Sequence, residues 1–221
     1  MKIEDIRIIG MTFVNAFLIK VTDGFILIDT GLAMHWDRLN KELETAGCLP
    51  GNLKLVIITH GDFDHTGNCF KLREKYYCKI AMHEKDLPMV ENGMRPKRKV
   101  KSFIAKVLMT LRKIMRKKFT FEFFKPDLFL TDGQRLTEYG LDASVIHLPG
   151  HTKGSIGILT DDGILFAGDL FTNRAKPDTA TYIENSDELK NSLSRLKTMN
   201  ITTVYPGHGD PFPMDKIRHK L

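Results

Sequence analysis

The feature that most constrains this chain is a dense group of metal-ligating side chains directly after an apolar run. Leu55 to Ile58 is continuously apolar, and two histidines and two aspartates then fall between His60 and His65, in the order His-Gly-Asp-Phe-Asp-His. The apolar run is typical of a buried strand, which places the polar residues on the loop that leaves it. Divalent metals bond imidazole nitrogen and carboxylate oxygen together. The motif therefore predicts a metal site at the end of a buried strand.

Three further places combine a histidine or an aspartate with a glycine turn after an apolar stretch. They are Gly150-His151-Thr152, Gly168-Asp169 and Gly207-His208. Glycine lets the backbone turn sharply and approach an ion closely. A ligand just past a buried strand is also held rigidly by the sheet. These turns therefore offer further ligands for the same site.

Strands and helices alternate in two comparable halves of the chain. In the first half, the patterns predict strands at 13–21 and 25–28, a helix at 36–46, a strand at 54–58, a helix at 65–76 and a strand at 78–82. In the second half, they predict strands at 143–148, 155–160 and 164–167, a helix at 186–198 and a last strand at 202–205. Asp-Gly turns mark a hairpin in each half. The alternation predicts one α/β domain with two packed sheets and helices outside.

The basic residues of the chain are concentrated in one segment. Eleven of the 33 lysine and arginine residues lie between Arg95 and Lys118, where there is no Asp or Glu, which leaves 22 basic against 27 acidic residues elsewhere. Apolar residues at helical spacing, among them Phe103, Leu108 and Leu111, occur in the same segment. The pattern predicts a basic amphipathic helical insertion at 92–125.

Three roles are open for this insertion. It can be a solvated helix packed on the body, or a lid over the site that selects anionic or amphiphilic small-molecule substrates. It can also contact an anionic membrane surface, whereas nucleic acid is the less favoured partner. Lys153, directly after the His151 motif, is a further candidate for a substrate contact.

Composition and termini favour a cytoplasmic protein. No run of about 18 apolar residues exists, so the sequence predicts no membrane-spanning helix. The first five residues include two acidic ones and lead into strand-like sequence, unlike a secretory signal. The three cysteines, Cys48, Cys69 and Cys78, form no Cys-x-x-Cys pair and are expected to be reduced.

The motifs of His60, His151, Asp169 and His208, in this order and spacing, resemble the metallo-β-lactamase-fold hydrolase superfamily. The stretch Leu27 to Gly31, which reads Leu-Ile-Asp-Thr-Gly, belongs to the same resemblance, and the match extends over nearly the whole chain. The resemblance implies a four-layer αββα sandwich with its site along the edge where the two halves meet. It also implies a metal-dependent hydrolase.

The same resemblance implies a set of ligands for two divalent ions. The first ion would be held by His60, Asp62 and His151, and the second by Asp64, His65 and His208, with Asp169 bridging. A water or hydroxide between the ions would attack an ester, thioester, lactone or phosphodiester. Asp64 is a candidate for orienting that nucleophile, so Asp64 and Asp169 are the implied catalytic residues. Asp29 would tie the ligand loops together without touching metal.

Asp62 departs from the commonest pattern of the superfamily, which has histidine at this position. Three aspartates against two divalent ions leave a net charge of about +1, where a histidine would leave about +2. Harder oxygen ligands also shift the preference from zinc toward iron or manganese. Zinc, iron and manganese therefore all stay open as the bound metals.

Two other classes of function stay open. Flavodiiron proteins of this superfamily carry a carboxylate at the position of Asp62, which keeps a di-iron redox domain in view. Such proteins need a flavodoxin-like domain, which is not expected here because only 13 residues follow His208. The third class is a non-catalytic metal-binding or membrane-associated module.

Overall fold

The computed structural model describes residues 5–100 and 122–221. Most of the predicted insertion, including Phe103, Leu108 and Leu111, lies outside these residues, so its helix and its role as a lid stay predictions. The described strands are β1 (Ile6–Met11), β2 (Val14–Val21), β3 (Gly24–Ile28), β4 (Leu53–Ile57), β5 (Lys79–Met82), β6 (Lys99–Val100), β7 (Leu128–Phe129), β8 (Ala143–His147), β9 (Ile156–Thr160), β10 (Ile164–Asn173), β11 (Asp178–Thr179), β12 (Tyr182–Ile183), β13 (Thr203–Gly209) and β14 (Phe212–Pro213).

The described helices are α1 (Trp36–Thr45), α2 (Phe63–Thr66), α3 (Cys69–Tyr76), α4 (Leu87–Glu91) and α5 (Ser186–Lys197). Short 3₁₀ turns lie at Ala33–His35, Glu84–Asp86, Thr137–Tyr139, Met214–Lys216 and Arg218–Lys220. Asn185 caps α5, because its side chain accepts hydrogen bonds from the backbone nitrogens of Asp187 and Glu188. None of the described helices is long and apolar enough to cross a membrane.

The strands form two large sheets and one small ribbon. The first sheet has the order β1-β2-β3-β4-β5-β7, antiparallel from β1 to β3 and parallel from β3 to β7. The second sheet has the order β14-β13-β10-β9-β8, with β11 paired to β10. Outside these sheets, β6 and β12 pair with each other. That ribbon joins the first residues of the basic segment to the second half of the chain.

Both faces of the central strands in each sheet are buried, which explains the continuous apolar runs in the sequence. Between the sheets, Phe17 of β2 packs on Phe166 of β10 and Tyr205 of β13, with ring centroids 5.2 and 5.7 Å apart. Helices α1 and α3 cover the outer face of the first sheet, and α5 covers that of the second. Each fully buried aromatic or aliphatic side chain contributes roughly 1.5–3 kcal/mol. The predicted αββα sandwich is confirmed.

Three predicted element boundaries were wrong, all beside candidate ligands. The helix expected at 65–76 is divided into α2 and α3 at Gly67 and Asn68. The backbone at Gly67 packs against the loop after β3, where a Cβ would lie 2.3 Å from the nitrogen of Ala33, and the side-chain amide of Asn68 donates to the carbonyl of Thr30 in the same loop. Strands expected to end at 167 and 205 continue to Asn173 and Gly209. The parallel pairing of β10 with β13 resumes after an irregularity near Gly168.

The three cysteines are free and buried. Burial raises the pKa of all three thiols, to about 12 for Cys48 and Cys78. This agrees with the expectation of reduced, structural thiols.

Candidate metal centre

All seven side chains predicted as ligands converge at one edge of the two sheets. His60 follows β4, and Asp64 and His65 lie on the single turn of α2. The other histidines and the last aspartate come from the second half: His151 lies in the loop after β8, Asp169 within β10 and His208 within β13.

The ligand atoms form two compact triads. His60, Asp62 and His151 offer nitrogen and oxygen atoms that lie within 4.8 Å of one another, and so do Asp64, His65 and His208. In the first triad, Asp62 Oδ2 lies 3.4 Å from His60 Nε2 and 3.1 Å from His151 Nε2. In the second, Asp64 Oδ2 lies 3.7 Å from His208 Nε2. Both triads are almost wholly buried.

Asp169 lies between the triads and directs one carboxylate oxygen to each. Its Oδ1 is 3.3 Å from His65 Nε2 and 3.2 Å from His208 Nε2, both in the second triad. Its Oδ2 is 3.7 Å from His151 Nε2 in the first triad. A carboxylate in this position can contact two ions at once.

Three of the histidines have their Nδ1 atoms bonded to oxygen acceptors away from the centre. His151 Nδ1 donates to the carbonyl of Tyr182 at 2.8 Å, and His208 Nδ1 donates to the carbonyl of Phe13. His65 Nδ1 contacts Asp29 Oδ2 at 2.8 Å. With the proton held at Nδ1, a neutral imidazole presents the lone pair of Nε2 to the centre.

The fourth histidine is oriented through Thr59 and Asp29. The Thr59 hydroxyl donates to Asp29 Oδ2 at 2.8 Å, so its oxygen is free to accept the Nδ1 proton of His60 at 3.0 Å. Asp29 also accepts a hydrogen bond from the Thr59 backbone nitrogen. It is fully buried and has a φ of 59°, in the left-handed region that aspartate tolerates better than most residues. One carboxylate thus orients two histidines.

The donor atoms fit a pair of divalent ions. Among the described residues, His60 Nε2, His65 Nε2 and Asp169 Oδ1 are buried and have no hydrogen-bond partner. Buried polar atoms are rarely left in this state. Four imidazole nitrogens and three carboxylates suit zinc, iron or manganese.

Neighbouring groups shift the pKa values of two carboxylates of the centre. Burial alone would raise the pKa of Asp62, but Arg98 and the imidazoles of His151 and His60 hold it well below its ordinary value. Burial likewise opposes ionisation of Asp169, whose pKa His208 and His65 hold well below the usual range. Both carboxylates are therefore ionised and ready to bind a cation at neutral pH.

Gly207 illustrates why glycine precedes a ligand here. A Cβ at this position would lie 2.7 Å from His65 Cε1 and 2.8 Å from Asp169 Oδ1. The sequence predicted a close approach of the backbone to an ion. The backbone in fact comes close to two other ligand side chains.

Asp86, Asn15 and Arg98 contact the ligand loops, although the sequence did not mark them. Asp86, only 1% exposed, accepts hydrogen bonds from the Gly61 nitrogen, the Thr152 hydroxyl and the Gly154 nitrogen. It thereby joins the loop of His60 to the loop of His151. Nothing in the local sequence around Asp86 marks it for this position.

Asn15 performs a similar function for the last ligand. Its amide donates to the carbonyls of Pro206 and Gly209, at 3.2 and 2.7 Å, on either side of His208. A lone amide within the apolar strand β2 was the available signal. The third residue is Arg98, which pairs with Asp62.

Four candidates for substrate or lid contacts remain. Lys153 is mostly exposed, and its Nζ lies 3.8 Å from Glu184 Oε1, so a substrate contact by Lys153 stays a prediction. The other substrate or lid candidates, Phe103, Leu108 and Leu111, lie outside the described residues.

The sequence model of the metallo-beta-lactamase superfamily matches residues 9–208. Among known proteins, the probable metallo-hydrolase MJ0888 of Methanocaldococcus jannaschii is 29% identical over 204 residues, which covers 89% of this chain and 87% of that protein. The human acyl-coenzyme A thioesterase MBLAC2 is 24% identical over 217 residues, covering 92% and 75% of the two chains.

Solved structures agree with the sequence comparisons. The metallo-beta-lactamase family protein TTHA1429 of Thermus thermophilus superposes with a TM-score of 0.75 at 20% identity, covering 99% of this chain and 78% of that one. BJP-1, a subclass B3 metallo-beta-lactamase of Bradyrhizobium japonicum, superposes with a TM-score of 0.69 at 22% identity, covering 92% and 75%. At these identities the likeness shows the fold.

Proposed function

This chain belongs to the metallo-beta-lactamase superfamily and is a metal-dependent hydrolase, and we propose that it uses two divalent ions to hydrolyse a small acyl ester or thioester. The observation that carries the proposal is the position of Asp169, with one oxygen toward each buried triad. A single-ion site has no need of two complete triads joined by one carboxylate.

In this proposal the two triads would hold the ions, and Asp169 would supply one oxygen to each. Bound ions would lower the pKa of water and polarise the substrate carbonyl. The chain's own groups orient the histidine ligands, since Asp29, Thr59 and two backbone carbonyls each lie within hydrogen-bond distance of an Nδ1 atom. Little reorganisation is then required when substrate arrives.

Asp64 is the proposed acid–base group. Its side chain is only 12% exposed and lies beside His208 in the second triad. We propose that Asp64 accepts a hydrogen bond from the attacking water, which orients it, and then takes up the proton that the water loses. As the carbonyl carbon gains its new oxygen, the bond to the alcohol or thiol breaks, and the same proton neutralises the leaving group.

An acyl substrate is supported by the surroundings of His208. The carbonyl of Phe13 orients this histidine, and Phe13 is 62% exposed at the turn between β1 and β2. An exposed aromatic residue whose backbone contacts a ligand is suited to contact an apolar acyl chain. The relative MBLAC2 carries the name of an acyl-coenzyme A thioesterase, which points to the same class of bond.

The test combines elemental analysis with a substrate panel. Protein loaded separately with zinc, manganese and ferrous iron is assayed against acyl-coenzyme A thioesters of increasing chain length, 4-nitrophenyl esters, a lactone, a phosphodiester and a β-lactam. We expect two ions per chain and the highest kcat/KM on a thioester or an ester.

Matched variants connect the activity to the centre. Asp169→Ala is expected to lose at least one ion and about 10³-fold in kcat, whereas Asp132→Ala, an exposed aspartate outside the triads, keeps both. Full activity and metal content in Asp169→Ala would refute the bridging role. Turnover of the phosphodiester or β-lactam alone would refute the proposed substrate class.

A further inference from the structure

A buried arginine forms a two-point ion pair with the unusual ligand Asp62. Arg98 Nη1 lies 2.5 Å from Asp62 Oδ2, and Arg98 Nη2 lies 3.0 Å from Asp62 Oδ1. The two side chains are only 12% and 14% exposed. This fork is the strongest common geometry between a guanidinium and a carboxylate, and it fixes the plane of the carboxylate.

The fork fixes Asp62 in the orientation that completes the first triad. While Arg98 holds both oxygens, Asp62 Oδ2 also lies 3.1 Å from His151 Nε2 and 3.4 Å from His60 Nε2. An aspartate is shorter than a histidine and has a freely rotating carboxylate. A partner on its outer side is therefore required to hold one oxygen toward the centre.

Arg98 is itself anchored by the β6–β12 ribbon. It directly precedes β6, where Lys99 pairs with Ile183 and Val100 pairs with Tyr182. The carbonyl of Tyr182 is the acceptor for His151 Nδ1. One short ribbon thus positions two members of the first triad, Asp62 through Arg98 and His151 through Tyr182.

The charge of the pair matters as much as its geometry. Two divalent ions and the three aspartates of the centre sum to about +1, and the Arg98 guanidinium restores about +2. That is the charge of the same centre with a neutral imidazole at position 62 and no arginine. Asp62 and Arg98 together therefore carry the charge of one neutral ligand.

We propose that Arg98 is the positioning residue of Asp62, and that the two side chains act as one unit in place of a neutral ligand to the first ion. This inference rests on the proposed dinuclear centre. It gives the first residues of the basic segment a function in metal binding that is separate from any role as a lid.

The test is a double-mutant cycle read out by metal binding. Zinc and manganese affinities and stoichiometries are measured by chelator competition for the natural protein, Arg98→Gln, Arg98→Lys, Asp62→His and Asp62→His/Arg98→Gln, together with the visible spectrum of the cobalt-loaded proteins. Arg135→Gln is the control, because Arg135 forms an equivalent fork with Asp161 on the surface.

We expect Arg98→Gln to lower the affinity for one of the two ions by about 10- to 100-fold and to change the cobalt spectrum, as is usual for loss of a group that orients a ligand. Asp62→His alone is expected to lower the affinity for the same ion, because it leaves a buried guanidinium unpaired beside the ions. The double variant removes both charges, and its metal affinity should return to within about tenfold of that of the natural protein. Such non-additive effects are expected when two side chains act together.

Two results would overturn the proposal. If Arg98→Gln binds both ions as tightly as the natural protein or more tightly, Arg98 either plays no part or competes with the metal. If Asp62→His binds as well as the double variant, the two side chains do not act together. The double variant tests the idea even where Arg98→Gln folds poorly, and failure of the natural protein to bind two ions would instead refute the proposed function.

Discussion

Removing the Asp86 carboxylate should damage both the stability of the fold and the metal centre, although Asp86 is not a ligand. Its two oxygens accept three hydrogen bonds, from the Gly61 nitrogen at 2.8 Å, the Thr152 hydroxyl at 2.7 Å and the Gly154 nitrogen at 2.8 Å. All three are buried contacts between loops that carry ligands. In Asp86→Ala, the Gly61 and Gly154 nitrogens lose their acceptor and cannot reach bulk water, whereas the Thr152 hydroxyl keeps Ser155 Oγ as a partner at 2.7 Å.

The expected magnitude follows from the number of stranded donors. Each buried donor left unpaired costs about 1–3 kcal/mol, so the two nitrogens, with the lost contact of the Thr152 hydroxyl, give about 3–6 kcal/mol. That is a large part of the roughly 5–15 kcal/mol by which a domain is stable. For a chain of this size it lowers the unfolding temperature by about 10–20 °C. Metal affinity should fall by about 10- to 100-fold as the two loops separate.

Asp132→Ala is the matched control for this experiment. Asp132 also accepts three hydrogen bonds, from the His147 nitrogen and two from Arg195, but its side chain is 47% exposed. Water replaces those partners, and the loss should be about 1 kcal/mol. Thermal unfolding of the metal-free proteins and chelator competition measure both effects. If Asp86→Ala unfolds within about 2 °C of Asp132→Ala and binds metal equally well, the reasoning from buried donors is refuted.

Three further predictions address the substrate, the metal and pH. Phe13→Ala should raise KM for long-chain acyl substrates more than for acetyl ones, while Phe129→Ala, at the opposite edge of the same sheet, should not; equal effects would contradict an acyl contact at Phe13. Chelation should lower the free energy of unfolding by about 4 kcal/mol for each bound ion, relative to protein with free metal about 1,000-fold above Kd, and this loss should be absent if the triads bind no ion. In metal-free protein, burial would lower the pKa of His65, but Asp29 and Asp169 raise it well above its ordinary value. Protonated His65 therefore stabilises the fold fully below about pH 6.5, and that contribution is lost as the pH rises through the raised pKa. Thermal unfolding between about pH 6 and pH 9 should show metal-free protein losing stability while loaded protein does not, and parallel curves would contradict this.

The sandwich was predictable because its signals are local. Apolar runs such as Leu55 to Ile58, and the Asp-Gly turns between strands, indicate buried strands and hairpins from a few residues each. The ends of β10 and β13 could not be predicted from local patterns of this kind. Whether a strand continues past Gly168 depends on its pairing with a neighbour distant in the chain, as in Thr172 with His208, and local patterns carry no such information.

The order of residues by itself determined the chemistry of the centre, since four histidines and three aspartates at turns after strands can serve few purposes other than binding cations. Tertiary structure alone decided how those ligands are held. Asp86, Asn15 and Arg98 reach the ligand loops from 25 to 194 positions away. A hydrogen bond or an ion pair depends on distance in space, and only the folded chain brings such distant groups into contact.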